Sequence, residues 1–209
     1  MIIKSFEINK INLDKNKFLL FYGKNEGLKS EVKNNLLKNK NLTAKYDEKE
    51  IIENSDILIE DLNSKSLFED EKTIIVNRAT DKIFKIISEI VEKQIKETII
   101  IIDAENLEKK SKLRSFFEKD KKCVCVPFYT DTNQTLSIIA SKYLKAKNIP
   151  ISTSDLNSIL NKCNGDRKNL LIELEKIEFY VKNGKKITKE SIAKLTNLIE
   201  NHSISELVD

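Results

Sequence analysis

The segment from Gly23 to Ser30 combines the residue types with which proteins bind phosphate groups. It reads GKNEGLKS, whereas a P-loop requires Gly-x-x-x-x-Gly-Lys-Ser/Thr between a strand and a helix. Gly23, Lys29 and Ser30 are in register, but Leu28 stands where the second glycine belongs, and Gly27 comes one position early. A leucine in a left-handed conformation costs about 1–2 kcal/mol, and its side chain would crowd a phosphate. We therefore predict a degenerate P-loop that does not bind ATP productively.

A second motif of P-loop ATPases is also incomplete. These enzymes end a buried strand with two adjacent carboxylates, one for magnesium and one for the attacking water. Here the apolar strand ends with Asp103, Ala104 and Glu105, so that an alanine replaces the second acid. Glu105 does not substitute for it, because neighbouring side chains leave an extended backbone in opposite directions. Together the two defects predict a protein without catalytic residues of its own. Two alternatives stay open: an active P-loop NTPase and a DNA-binding regulator on the same scaffold.

The elements that carry these motifs indicate an α/β domain over residues 1–129. Short apolar runs predict strands at 18–22, 73–77, 98–103 and 122–126, and helical spacing predicts helices at 26–38, 83–94 and 110–119. Strands that are apolar throughout and alternate with amphipathic helices are typical of a parallel sheet covered on both faces.

Beyond Pro127 the pattern becomes helical. Apolar side chains at helical spacing predict helices over 134–147, around 156–160, over 168–181 and around 192–198. We therefore expect a small helical domain over 130–200. The sequence from Ser203 to Asp209 begins a further helix that the chain is too short to complete, and we expect a fragment of a longer protein.

The net charge, the cysteine spacing and the length of the apolar runs each argue against particular classes of function. The net charge is only +4, with 37 basic and 33 acidic residues, which is no strong signal of nucleic-acid binding. Lys24, Lys29 and the basic run at 109–114 could contact phosphates, although solvated helix faces explain such lysines more often.

The three cysteines match no metal or disulfide spacing, so we predict buried thiols, no metal and no cofactor. No apolar run is long enough to span a membrane, and we expect a cytoplasmic protein.

Five segments, in order along nearly the whole chain, resemble the delta subunit family of bacterial DNA polymerase III. They are FLLFYG at 18–23, SLFEDEKTIIV at 66–76, the region 100–113 that begins IIIDA, GDRKNLLIELEK at 165–176 and ENHSISELVD at 200–209. The chain lacks the Ser-Arg-Cys motif and the four-cysteine module of related loader subunits, which favours delta among them.

The resemblance implies an AAA+-like P-loop domain, a helical lid and a C-terminal collar domain. Residues 201–209 would be the start of the collar, and the rest of it would be missing here. It also implies a subunit that binds and opens the sliding clamp (the β subunit) and works with delta prime and the tau/gamma ATPases on primed DNA. The nucleotidyltransferase activity would belong to the holoenzyme. In the family a Leu-Phe pair inserts into the clamp, and here that pair is Leu67 and Phe68. Arg167 resembles the lid arginine, and we expect it to be structural because the phosphate loop is degenerate.

Overall fold

The computed structural model describes residues 1–38, 43–63, 72–93 and 98–196. The chain divides into two compact units. The first comprises Met1–Lys24 and Lys29–Tyr129, and the second comprises Asn25–Leu28 together with the residues from Thr130 onward. The short segment 25–28 is thus grouped with the second unit, although the residues on both sides of it belong to the first.

The first unit is built on a parallel sheet of five strands in the order β2-β3-β4-β1-β5. Their bounds are β1 Phe18–Tyr22, β2 Thr43–Asp47, β3 Lys72–Asn77, β4 Thr98–Ala104 and β5 Cys123–Pro127. β1 lies between β4 and β5, and its Phe21 is in register with Asp103 of β4. Because parallel strands end at the same edge, this register brings the two sequence motifs to neighbouring positions.

In the described ranges the sheet is accompanied by the helices α1 Glu26–Leu36, α2 Glu48–Glu53, α3 Ser55–Asn63, α4 Phe84–Glu92 and α5 Lys112–Lys119. Short 3-10 helices cover Ser5–Lys10 and Asp81–Ile83. One face of the sheet packs against apolar side chains of α2 to α5, such as Leu58, Ile87 and Phe117. All residues of β1, β4 and β5 are buried, which explains why their sequences are apolar throughout.

Up to residue 196, where the description of the second unit ends, its helices are α6 Asn133–Ala146, α7 Thr153–Cys163, α8 Arg167–Lys182 and α9 Lys189–Leu195. Their buried leucines and isoleucines form a separate core. A charged cluster accompanies it at Glu178. This carboxylate accepts hydrogen bonds from Tyr143 and pairs with Lys147 and Lys182 at 2.9 and 2.8 Å. The hydrogen bonds from Lys182, Tyr143 and Lys147 lower the pKa of Glu178 to about 2.

The predicted fold class, a parallel α/β sheet followed by helices, is confirmed. Among the described residues, the sequence analysis missed the edge strand β2, the helices α2 and α3, and the 3-10 helix Ser5–Lys10. The prediction that the cysteines are buried thiols is also confirmed, because all three are free and buried. Burial raises the pKa of Cys123 and Cys125 to about 12.

None of the helices in the described part of the chain has the length and apolar character needed to cross a membrane. In the same residues no group of three or more histidine, cysteine, aspartate or glutamate side chains is arranged to hold a metal ion.

Candidate functional site

Gly23 ends β1 in a conformation that only glycine adopts readily. Its φ angle is +125°, and a Cβ atom at this position would lie 2.1 Å from the carbonyl oxygen of Phe128. The Gly23 N–H donates to the Glu105 carbonyl at 2.8 Å, and the Phe128 N–H donates to the Tyr22 carbonyl at 2.7 Å. The first glycine of the motif therefore allows the backbones that leave β1 and β5 to approach closely.

Lys29 is buried, with only 1% of the residue exposed. Its Nζ donates to Asp103 Oδ1 at 2.7 Å and to the Ala104 carbonyl at 2.9 Å. Lys33, one helical turn further along α1, also donates to the Asp103 carboxylate. In a working P-loop the lysine reaches the β- and γ-phosphates of the nucleotide. Here the ammonium group is bound by a carboxylate and a carbonyl at the end of β4.

The structure places no second carboxylate beside Asp103 at the ends of β3 and β4. Asp103 is buried against the two lysines, Ala104 follows it, and Glu105 is exposed just beyond the end of β4. Glu105 contributes its backbone carbonyl to the hydrogen bond from Gly23. The neighbouring strand β3 ends with Asn77 and offers no second acid. The strand ends at β3 and β4 therefore do not present the adjacent pair of carboxylates that magnesium and an attacking water require.

Ser30 and Leu28 differ from their counterparts in a phosphate-binding loop. Because α1 begins at Glu26, Leu28 lies in the first helical turn, and it is not among the residues with positive φ. The strain expected for a leucine in the loop is thus avoided by starting the helix early. Ser30 is exposed and lines a polar groove of about 510 Å³ together with Lys33 and Lys45.

In the second unit, Asn25 and Asp131 hold the beginning of α1. Asn25 is 3% exposed; its Oδ1 accepts a hydrogen bond from the Leu28 N–H at 3.0 Å, and its Nδ2 donates to Asp131 at 2.9 Å. Arg167 binds the same carboxylate through two hydrogen bonds of 2.8 and 2.9 Å. The Asn25 amide, which caps the start of α1, and the Arg167 guanidinium thus both bind the Asp131 carboxylate.

Gly27 lies against the start of α8. A Cβ atom there would be 2.7 Å from the backbone nitrogen of Lys168 and 3.2 Å from Arg167. The glycine that the motif places one position early is therefore explained by close backbone packing within the second unit.

The sequence pointed to Gly23, Gly27, Lys29, Ser30, Asp103 and Glu105, and the structure brings Lys29 and Asp103 into direct contact. It also adds Lys33, Asn25 and Asp131. Two of these had a detectable signal: Asn25 is a polar residue directly before a helix, and Lys33 follows Lys29 by one turn. Leu67 and Phe68 lie outside the described residues.

Comparison with known proteins identifies the family. A model of the DNA polymerase III delta subunit family matches residues 19–128, which is more than half of the chain. The chain belongs to the DNA polymerase III delta subunit family. A search of curated proteins found no significant match.

Solved structures agree on the fold. The DNA clamp loader delta protein YqeN of Bacillus subtilis matches with a TM-score of 0.55 at 14% identity, covering 91% of this chain. Domain III of the replication initiation protein DnaA from Thermotoga maritima matches with a TM-score of 0.56 at 12% identity, covering 94% of this chain and 90% of that domain. A RuvB structure from Thermotoga maritima, a Holliday junction branch migration motor, matches with a TM-score of 0.54 at 10% identity, covering 88% of this chain and 62% of RuvB.

At these identities the likeness shows the fold alone, a parallel α/β sheet followed by helices. This chain spans 61% of the length of the Bacillus subtilis protein.

Proposed function

We propose that this chain acts as a clamp-loader delta subunit, which binds and opens the sliding clamp without hydrolysing ATP itself. The observation that carries the proposal is the match of residues 19–128 to the delta subunit family. The ion pair of Lys29 with Asp103 supports the absence of ATP hydrolysis, because the lysine of the degenerate P-loop already has protein partners.

The absence of hydrolysis follows from the chemistry of the site. Phosphoryl transfer depends on a lysine and a metal that neutralise charge on the phosphates, and on a group that orients the nucleophile. Lys29 is bound to Asp103, and Ala104 occupies the position of the second carboxylate. ATP turnover would therefore belong to partner subunits, and polymerase activity to the holoenzyme.

The contact with the clamp is assigned to Leu67 and Phe68. In the sequence this apolar pair stands between NSKS and EDEK, so an aliphatic and an aromatic anchor have a polar surround. Binding hot spots are built in this way. Opening then needs no bond chemistry: a subunit that binds the open or strained clamp more tightly than the closed clamp shifts the equilibrium by that difference in affinity.

The proposed role implies the partners of a loader. They are the β sliding clamp, delta prime, the tau/gamma ATPases and primed DNA, and the place of action is the cytoplasm. In this assembly the ATPase subunits would control when the anchor pair is exposed.

The decisive experiment combines Leu67→Ala with Phe68→Ala and measures binding to the cognate clamp by calorimetry. Two hot-spot residues predict a loss of affinity of at least about a hundredfold with an unchanged melting temperature. A matched control replaces Ile172 and Phe179, an exposed aliphatic and aromatic pair on α8, by alanine and should bind like the wild type. Unchanged clamp affinity of the Leu67/Phe68 variant would refute the assignment.

The alternatives make different predictions for the same preparation. An active NTPase would show a nucleotide-dependent rise in melting temperature and turnover that Lys29→Ala abolishes. A DNA-binding regulator would bind duplex DNA as an isolated chain, with a steep dependence on salt. Clamp binding without either behaviour is the outcome that the proposal expects.

A further inference from the structure

The polar groove of about 510 Å³ in the first unit runs along the side of α1. Ser30, Lys33, Asn34 and Leu37 form its wall, and their spacing places them on one face of the helix. A P-loop holds a phosphate with backbone N–H groups at the start of its helix. This groove begins a full turn later and leads away from that end, so it is separate from the degenerate loop.

The floor of the groove is formed by the two strands at one edge of the sheet. Lys45 of β2 and Ile75 of β3 are in register, and Thr43 and Asn77 lie two residues away from them along their strands. Because alternate residues of a strand point to the same face of the sheet, all four side chains face α1. Two strands and one helix therefore bring the lining together.

Most polar side chains of the groove have hydrogen-bonding capacity that the protein does not use. Within the described ranges, the side chains of Ser30, Asn34, Thr43 and Asn77 form no hydrogen bond. Thr73 continues the same row of β3, and its fully buried hydroxyl has no partner in that part of the chain either. Hydroxyl and amide groups thus stand ready on the wall and on the floor for an occupant.

The lining carries positive charge and contains no carboxylate. Lys33 uses one of its three N–H donors on Asp103. Lys45 is exposed, and no carboxylate of the described residues pairs with it. Asp47 lies on the same face of β2, but Arg78 binds its carboxylate through two hydrogen bonds of 3.2 and 2.7 Å. An anion is therefore the occupant that the charges favour.

The chemistry of the donors selects among anions. A phosphate dianion presents several acceptor oxygens in different directions, so it can bind two ammonium groups and neutral hydroxyl or amide donors at once. A bare divalent cation does not fit, because such ions require oxygen ligands and usually carboxylates. Magnesium-bound ATP does not fit well either, because the metal bridges its terminal phosphates and would bring positive charge towards Lys33 and Lys45.

We propose that this groove binds a phosphate dianion, either inorganic phosphate or the phosphate of a small monoester. The two sources share the same charged group, and the groove has room for a short organic part beside Leu37 and Ile75. The inference does not depend on the clamp contact, since neither the lining nor the ligand involves Leu67 or Phe68.

The test follows the melting temperature of the whole chain at constant ionic strength while phosphate replaces chloride. At a phosphate concentration ten times the dissociation constant, the melting temperature should rise by about 3–5 °C and the rise should saturate. Glycerol 3-phosphate in place of inorganic phosphate distinguishes the two sources, because the one that fits better saturates at the lower concentration. Magnesium-bound ATP should give no shift.

Two variants probe opposite sides of the groove. Lys45→Gln removes the exposed ammonium of the floor and should weaken phosphate binding about tenfold, because a hydrogen bond to a charged group is lost. Ser30→Ala with Asn34→Ala removes neutral donors from the wall and should weaken it about fivefold. Alanine favours a helix at both positions, so neither variant should unfold more easily than the wild type without phosphate.

The matched control is Lys85→Gln, which removes the same charge from an exposed position of α4 and should leave phosphate binding unchanged. The proposal is overturned if phosphate gives no saturable rise, or if Lys45→Gln and the Ser30/Asn34 variant bind as tightly as the wild type. Equal weakening by Lys85→Gln would also overturn it, because the attraction would then belong to the whole surface. Clamp affinity is measured separately and should be the same in all these variants, so that failure of this inference and failure of the proposed function are distinguishable.

Discussion

Replacement of Lys29 by methionine separates a structural lysine from a phosphate-binding one. Methionine keeps a long unbranched side chain but removes the ammonium, which leaves the Asp103 carboxylate with Lys33 alone in nearly dry surroundings. Breaking a buried ion pair on one side costs about 3–5 kcal/mol, because the remaining charge is uncompensated. Since Lys33 stays, we expect the lower end, about 3 kcal/mol, or a melting temperature lower by about 10 °C.

Adding Asp103→Asn to this variant should restore part of the loss. The double variant no longer buries an uncompensated carboxylate, so the two substitutions should couple favourably by about 1–3 kcal/mol. The assay is urea unfolding followed by far-UV circular dichroism, since the chain contains no tryptophan. Lys49→Met is the control: its pair with Glu53 spans 3.7 Å between side chains that are 85% and 66% exposed, and its loss should change stability by less than about 0.5 kcal/mol.

One result would falsify the structural role of Lys29. If Lys29→Met unfolds at the same urea concentration as the wild type but removes a stabilisation that ATP and magnesium give to the wild type, the lysine serves a nucleotide. The NTPase alternative predicts that combination, and the buried pair predicts the reverse: a large loss of stability and no nucleotide effect in either protein.

Two further predictions concern the second unit. Alanine at Gly27 would favour the helix by up to about 1 kcal/mol through its higher helix propensity. Chemical denaturation should nevertheless show a net loss of stability of about 1–2 kcal/mol, because the alanine Cβ would lie 2.7 Å from the Lys168 backbone nitrogen. A variant more stable than the wild type would contradict this packing. The pKa of Glu178 is lowered from 4.5 to about 2, so its cluster should stabilise the fold fully above about pH 4.5 and lose this effect as the pH falls through 2. An NMR titration of the Glu178 carboxyl checks the value, and a midpoint near 4.5 would contradict the cluster.

The sequence was sufficient for the strands that are apolar throughout and insufficient for the edge strand β2. β1, β4 and β5 are covered on both faces, and a continuous apolar run is the signature of that environment. β2 has the sequence TAKYD, in which only Ala44 and Tyr46 pack against the core while Lys45 is exposed. Such a strand is defined by its pairing with β3, which no local pattern reveals.

Helices α2 and α3 were missed for a related reason. In α3 the side chain of Leu58 is fully buried, whereas Ile57 and Ile59 on either side of it are 40% and 37% exposed. Three consecutive large apolar residues obscure the helical period on which the prediction depends. Burial of one of the three is decided by the neighbouring elements.

At the candidate site, residue types were predictable and their partners were not. A motif comparison suffices to find Lys29 and Asp103, but their hydrogen bond joins positions 74 residues apart. Sequence reasoning also could not explain why residue 27 is a glycine, because the explanation depends on close packing against the backbone of Lys168. Sequence reasoning judged Leu28 by the conformation that a P-loop imposes, whereas the chain begins its helix earlier and leaves that conformation unused.

The same geometry predicts that the degenerate P-loop binds ATP only weakly. A triphosphate could recruit Lys29 only by breaking its two hydrogen bonds at the end of β4, each worth about 1.5–3 kcal/mol because a charge takes part. The free energy lost with these two hydrogen bonds counts against nucleotide binding. This loss alone would weaken the affinity for ATP by a factor of about a hundred or more. In the second unit Arg167 is likewise committed to Asp131. With Lys29 and Arg167 both paired inside the protein, we expect ATP and magnesium to leave the melting temperature of the chain unchanged.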